Sequence, residues 1–376
     1  MARVLILGGG FGGAAAATAL RRLAPVHETV LIDRQLESYL CGVNPAVIVG
    51  HADPLSRSIA GLADLGINWI NAEVEDLNLD ERVVVTSSDD VTWDYLVIAL
   101  GVSYDWEGVP GSGDGYSFYD RESALRLRAR LENFDGGSIV IGIGGRPYRC
   151  PPAPFEAALM IDDYLREKSA RDRSTITVAI PETAPLGVAG PEVSARIRDI
   201  LNKAGIELRT GIRATAVKSD SVEFSDGVSL KADISIIVPV HRLPPVVEAS
   251  GLAGDKPFVP VDRKTLETAT SNVYAIGDVN GIPVGENAAI PKAGVFASGQ
   301  GRHVAEVIGA KLGVCADPGA YDGVGHCFLM LGYDSGAQIG GAFLARNGPE
   351  VDLDEPSKAG RQAKDQWEAA WARFDT

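Results

Sequence analysis

The sequence predicts an α/β chain of two doubly wound, parallel-sheet domains, the second inserted in the first, followed by a small C-terminal α+β interface region. Three observations predict it. "RVLILGGGFGGAAAATALRRL" runs from an apolar strand through glycines into an alanine-rich helix. "GSIVIGIGGRPYRCPP", from Gly137, begins a second unit of the same kind. "TSNVYAIGDVNG" then ends a further strand at Gly277 and Asp278 and leads into a long helical stretch, returning the chain to its first unit. Strands alternating with helices in this order make parallel sheets. The expected boundaries are 1–115 and 255–318 for the first domain, 116–254 for the second and 319–376 for the C-terminal region.

In chain order, the first glycines fit G-x-G-x-x-G at Gly8, Gly10 and Gly13. Gly8 permits the tight turn, Gly10 lets the backbone approach a pyrophosphate, and Gly13 lets helix pack on strand. The helix N-terminus then faces the phosphates with free N–H groups and its dipole. "TVLID" follows as the second strand and ends in Asp33, placed to bond a ribose hydroxyl. Strand, motif, helix, strand and acid in register make a dinucleotide the expected ligand of this Rossmann-like unit.

"WINAEVEDLNLDERVVVTSSDDVTWDYLVIALG" supplies two alternating strands around a turn and a third strand ending at Gly101. "GVPGSGDGY" marks a linker. The helix "DRESALRLRARLENF" leads into the second unit, which continues through "TITVAIP", the helix "PEVSARIRDILNKAG" and the strands "IELRTG" and "SVEFSDGVSLKADISIIVPV". The tail holds "GHCFLMLGYDSGAQIGGAFL" as strands and "RQAKDQWEAAWARF" as a last helix.

"LILGGGFGG", "YLVIALG" and "VYAIGD" resemble the two-dinucleotide-fold flavoprotein disulfide reductases. The resemblance implies that the first fold holds FAD. Phe11 and Gly12 of the loop, Arg34 beside Asp33, Val74, and Ala99 and Gly101 of the "ALG" segment join the candidate cofactor-binding residues. Gly277 and Asp278 complete the implied set, with Asp278 on the ribityl chain. Leu100 replaces the usual threonine. "PYRCPPAPFEAALMIDDYL", "YLCGVNPAVIVG", "IIVPVHR", "PKAGVFASGQG" and "GHCFLMLGYDSG" narrow the likeness. They resemble the flavoprotein subunit of flavocytochrome c sulfide dehydrogenase and, more distantly, sulfide:quinone oxidoreductase.

The second glycine loop offers Gly142 and Gly144, but Pro147 stands where the third glycine belongs. Proline lacks the N–H that helps hold phosphate and restricts close helix packing. A working NAD site is not expected there. Arg149 and Cys150 occupy the slot instead. Cys150 is expected to open a helix, beside a cation and with prolines in the first turn, which favours a thiolate. Cys327 matches the second cysteine of the sulfide dehydrogenase pair, so the resemblance implies a redox-active Cys150–Cys327 pair. It likewise implies covalent FAD attachment through Cys41. Cys315 has no matching role. Four scattered cysteines form no disulfide scaffold, and no CxxC, CxxCH or zinc spacing exists, so no metal site is expected. His241 and Arg242 are candidates for the disulfide face. Lys292 is a candidate for the flavin's pyrimidine edge, where a cation stabilises the anionic reduced ring.

The function so implied is an FAD-dependent sulfur oxidoreductase. Hydrosulfide or a small thiol attacks the cysteine pair by thiol–disulfide exchange. Electrons then pass from the flavin to a separate acceptor, a cytochrome or a quinone. Two alternatives stay open: NAD(P)H-dependent reduction of a quinone or small redox protein, and a flavin-binding protein without turnover. A formal charge of −15 excludes a general nucleic-acid binder. No run of about 18 apolar residues exists, so no membrane span is expected. Trp367, Trp371 and Phe374 form one helix face that is expected to pack on the body of the protein rather than on lipid. With no separate apolar leader, a cytoplasmic chain is expected, or a periplasmic one if the chain is processed.

Overall fold

The computed structural model describes residues 1–285 and 288–374. β1 (Arg3–Leu7) is a run of aliphatic side chains, with Val4 through Leu7 almost fully buried. A strand covered on both faces reads as a continuous apolar run rather than an alternation. The glycine loop leads to α1 (Phe11–Leu23), then β2 (Glu28–Ile32), β3 (Asn68–Ile70) and β4 (Tyr95–Ile98). Between β2 and β3 lies a short hairpin, Glu37–Tyr39 with Ser56–Ser58. Between β3 and β4 an antiparallel meander, Val74–Asn78, Val83–Thr86 and Val91–Thr92, supplies the predicted alternating strands.

The chain then builds the second unit. α2 (Arg121–Glu132) starts at Asp120, whose carboxylate accepts from the Ser123 N–H. There follow β5 (Gly137–Ile143), α3 (Ala153–Glu167), β6 (Ser174–Ile180), α4 (Pro191–Lys203), β7 (Glu207–Thr210) and β8 (Ile234–Val238). β9 (Val273–Ala275) and α5 (Gly294–Lys311) return to the first. The first sheet has the order β9-β4-β1-β2-β3 and the second β7-β6-β5-β8, with every neighbour parallel. The predicted α/β class, with one parallel sheet interrupted by the other, is the observed one.

β10 (Val324–Met330), β11 (Gly336–Ala342) and β12 (Glu350–Leu353) form a third, antiparallel sheet, and α6 (Lys358–Ala372) packs on β10 and β11. Trp371 on α6 is fully buried, so the tail's aromatic face turns inward. Among the described residues no helix is long and apolar enough to cross a membrane.

Candidate active site

Gly8, Asp33, Ala99 and Gly277 follow β1, β2, β4 and β9, at the carboxyl edge of the first sheet where open α/β folds bind ligands. They line a cavity of about 880 Å³ together with Gly10, Phe11, Gly12, Arg34, Cys41, Val74, Gly101, Cys150, Asp278, Lys292 and Cys327. Of the predicted cofactor-binding residues, Gly13 alone lies outside that lining. It is a spacer, because a methyl group there would lie 1.8 Å from the Gly8 carbonyl oxygen. Gly8 itself has φ +98, which a side chain resists. Asp33 accepts from the Gly9 N–H at 2.6 Å and the Gln35 N–H at 2.8 Å, and burial raises its pKa above the usual carboxylate value.

The two distant cysteines meet. The Cys150 and Cys327 thiols are close enough to influence each other and line the same cavity, both free and both half-buried against one apolar core. The Cys150 environment differs from the expected one. α3 begins only at Ala153, with Pro152 at its cap, so Cys150 lies before the helix rather than opening it. It takes φ +49, the left-handed region that costs a non-glycine residue about 1–3 kcal/mol. Its N–H donates to the Lys292 carbonyl at 2.6 Å. The contact between them, reinforced by burial, raises the Cys150 pKa; the same contact lowers that of Cys327 against the opposing effect of burial. The contact therefore favours charge on Cys327 over Cys150, and Cys150 lacks the helix N-terminus that was expected to favour a thiolate there.

Behind the pair sits a buried ion pair that the sequence pattern did not announce. Lys364 of α6 lies 3.2 Å from Glu156 of α3, with side chains 6% and 3% exposed. Glu156 also accepts from the Met330 N–H at 3.0 Å, at the end of the strand bearing Cys327. All four side chains line the cavity. A legible signal did exist: Glu156 is the lone charge in the apolar run from Cys150 to Ile161.

Arg149 pairs with Asp278 at 3.5 Å, lies near the Cys41 sulfur and stands over the Tyr104 ring. Cys41 itself donates to the Tyr119 carbonyl at 3.5 Å. Lys292 donates to the carbonyls of Asp278 and Asn280 and stands 3.5 Å from the Phe258 ring centre. Burial lowers its pKa to about 8. His241 and Arg242 lie outside the cavity lining. His241 accepts from the Arg149 N–H at 3.2 Å, and Arg242 pairs with Asp105. Cys315 also lies outside it and donates to the Glu306 carbonyl.

The family model for pyridine nucleotide-disulphide oxidoreductases matches residues 2–301. The chain belongs to this family. It is a flavin-dependent oxidoreductase, and its cofactor is FAD. The residues fit that group: a loop bare of side chains, a half-buried carboxylate at the end of β2, and a cavity within the roughly 300–1,000 Å³ range of cofactor sites. This oxidoreductase is 25% identical over 305 residues to the mitochondrial sulfide:quinone oxidoreductase of Mus musculus, covering 76% of this chain and 67% of that one. It is 25% identical over 358 residues to the Type II NADH:quinone oxidoreductase of Staphylococcus haemolyticus, covering 86% and 89%. Its fold superposes on the sulfide:quinone oxidoreductase structure from Aquifex aeolicus with a TM-score of 0.90, at 23% identity over 100% of this chain and 92% of that one.

Proposed function

We propose that the chain oxidises sulfide, or another small thiol or persulfide, through a Cys150–Cys327 redox pair, and that its flavin passes the electrons to a separate quinone or cytochrome. One observation carries this reading. Two cysteines far apart in the sequence come together on the wall of a cavity that fits FAD. In the oxidised pair, HS⁻ attacks Cys150 Sγ. The bond between the cysteines breaks, a persulfide forms on Cys150, and Cys327 leaves as a thiolate. Cys327 is the better leaving group because its pKa is the lower of the two. Lys364 places a cation, and Glu156 its counter-charge, beside the thiolate so formed. Bound FAD supplies a two-electron acceptor. The balance is HS⁻ to zero-valent sulfur, two electrons and one proton.

Gly8, Gly10, Phe11, Gly12 and Asp33 are assigned to the dinucleotide, with Asp278 beside the ribityl chain. Cys41, held beside the Arg149 guanidinium, is proposed as the point of covalent attachment. Residues 1–115 with 255–318 form the proposed FAD domain, 116–254 the second domain and 319–376 the interface region. Similarity to an NADH:quinone oxidoreductase favours a second reading, reduction of the flavin by NADH. Pro147 in the second loop counts against it, for want of an N–H to offer phosphate.

Anaerobic titration of the flavin absorbance with sulfide, NADH and NADPH tests both readings. Bleaching by sulfide and its loss in Cys150→Ser are expected. Bleaching by NADH alone would overturn the proposal in favour of the second reading. Sulfide-driven bleaching undiminished in Cys150→Ser would remove the cysteine chemistry. Flavin fluorescence that stays with the denatured chain on a gel, and is lost in Cys41→Ser, is the expected sign of the covalent bond.

A further inference from the structure

The cation at the thiol pair is delivered by the last helix of the chain, and that helix is tethered at both ends. At its start, Ser357 exchanges two backbone hydrogen bonds with Gly336 of β11, at 3.0 and 2.9 Å. Ser357 Oγ accepts from the Gly360 N–H, and a methyl group on Gly360 would lie 2.2 Å from the Gly336 oxygen. At its end stands Arg57, from the hairpin strand Ser56–Ser58. Its guanidinium lies 4.4 Å from the Trp371 ring centre and 4.1 Å from that of Phe374, and donates to the Trp371 carbonyl at 2.6 Å. That carbonyl is among the last four of α6, which lack helical partners, and a cation there also complements the helix dipole.

Arg57 is only 6% exposed, and no carboxylate pairs with it among the described residues. Its Nε has no partner. A buried, unpaired guanidinium is costly, and the reaction proposed above does not use it. The aromatic faces and the helix end are what it holds. On the same helix, Lys364 and Trp367 line the cavity, and Trp367 stacks on Phe11 of the glycine loop at 5.8 Å. The groups facing the thiol pair are Tyr119 and Tyr148, kept protonated by burial, Glu156 from α3 and Lys364 from α6, with Glu368 facing Lys364 in turn. Lys364 is the cation among them.

We propose that Arg57 is a positioning residue: by clasping the end of α6 it holds the Lys364 ammonium at the Cys150–Cys327 pair, so that the Cys327 thiolate depends on the docked tail. The inference rests on the reading of that pair as the reactive one. A loosened tail withdraws the cation, and the thiolate loses its favourable charge. No covalent step is altered; the clasp sets how readily the leaving sulfur carries its charge.

The test is the alkylation of the reduced holoenzyme by iodoacetamide across pH 5–10, with Cys327 followed by peptide mass spectrometry. Lys364→Met removes the cation directly and sets the reference midpoint. Arg57→Gln is expected to move the alkylation midpoint upward like Lys364→Met. Neutral-pH alkylation then slows by about tenfold for each pH unit that the midpoint rises. Phe374→Ala removes half the sandwich at the chain's surface, spares the buried charge, and is expected to move the midpoint the same way by less. Faster hydrogen exchange along residues 358–374 should accompany both. An unchanged midpoint with that helix loosened overturns the proposal, as does a midpoint moved by Lys364→Met but by neither clasp variant. Sulfide bleaching that survives in Cys150→Ser sinks the sulfide reading alone, because alkylation reports the thiol itself.

Discussion

His241 shows how a residue outside the cavity supports it. Its ring lies 5.0 Å from Tyr104 and 5.6 Å from Tyr119. Nδ1 bonds the Pro239 carbonyl at 2.9 Å, which leaves Nε2 to accept from the Arg149 N–H. A proton on Nε2 would turn donor against donor, and burial pushes the pKa down to about 3. The unfolded chain binds that proton near pH 6.5, so between about 6.5 and 3 the unfolded state is the more protonated and folding weakens as pH falls. The slope is up to about 1.4 kcal/mol per pH unit. His241→Gln is expected to flatten the fall in Tm between pH 6.5 and 4 relative to the parent. Equal slopes would mean that the imidazole does not stay neutral. Lys292 works the other side of neutrality. Its pKa is lowered from 10.5 to about 8, so the penalty of burying its charge is full below pH 8 and is relieved as pH rises toward 10.5. Relative to the parent, Lys292→Met should therefore be at its most stable below pH 8 and lose that advantage toward pH 10, read from paired melting curves.

At the scale of the element, the glycine loop and α1 act as one part. Gly13→Ala would put a methyl group against the Gly8 carbonyl at 1.8 Å and force helix away from strand. The expected result is a folded chain purified nearly free of flavin, with the flavin's visible absorbance lost and far-ultraviolet dichroism kept. Full flavin content would show that the loop has slack. This part was legible because its requirements are local: a turn, a close approach and an acid, all within the first 33 residues. The start of α3 was misread for a reason equally local. Four prolines between Pro147 and Pro154 allow several helix starts, and the cap fell on Pro152. That places Cys150 before the first turn, where its N–H meets Lys292 rather than a ligand.

At the scale of the whole molecule, FAD is expected to behave as part of the fold. A reversibly bound ligand at about 100 times its Kd adds about 2.7 kcal/mol to stability and makes Tm depend on its concentration. With the covalent bond proposed at Cys41, the parent's Tm should not respond to added FAD, while Cys41→Ser should melt higher as FAD is added. A parent Tm that climbs with FAD would show a flavin held without the bond. The tail belongs to this scale too. Its aromatic face closes on Phe11 and Arg57, near the other end of the chain, and its ion pair with Glu156 joins residues 208 apart, a pairing that the lone charge of Glu156 hints at but cannot name.

The sequence by itself determined the α/β class, the dinucleotide loop, the acid after β2 and the loss of a third glycine in the second loop. Each is a matter of short-range periodicity and backbone chemistry. Only the tertiary structure decided that Cys150 and Cys327 line one cavity, that Lys364 and Glu156 pair in its wall, and that Arg57 packs against the end of the helix bearing Lys364. Those facts depend on contacts between segments far apart in the chain, where burial and neighbouring charge, rather than residue type, set the chemistry.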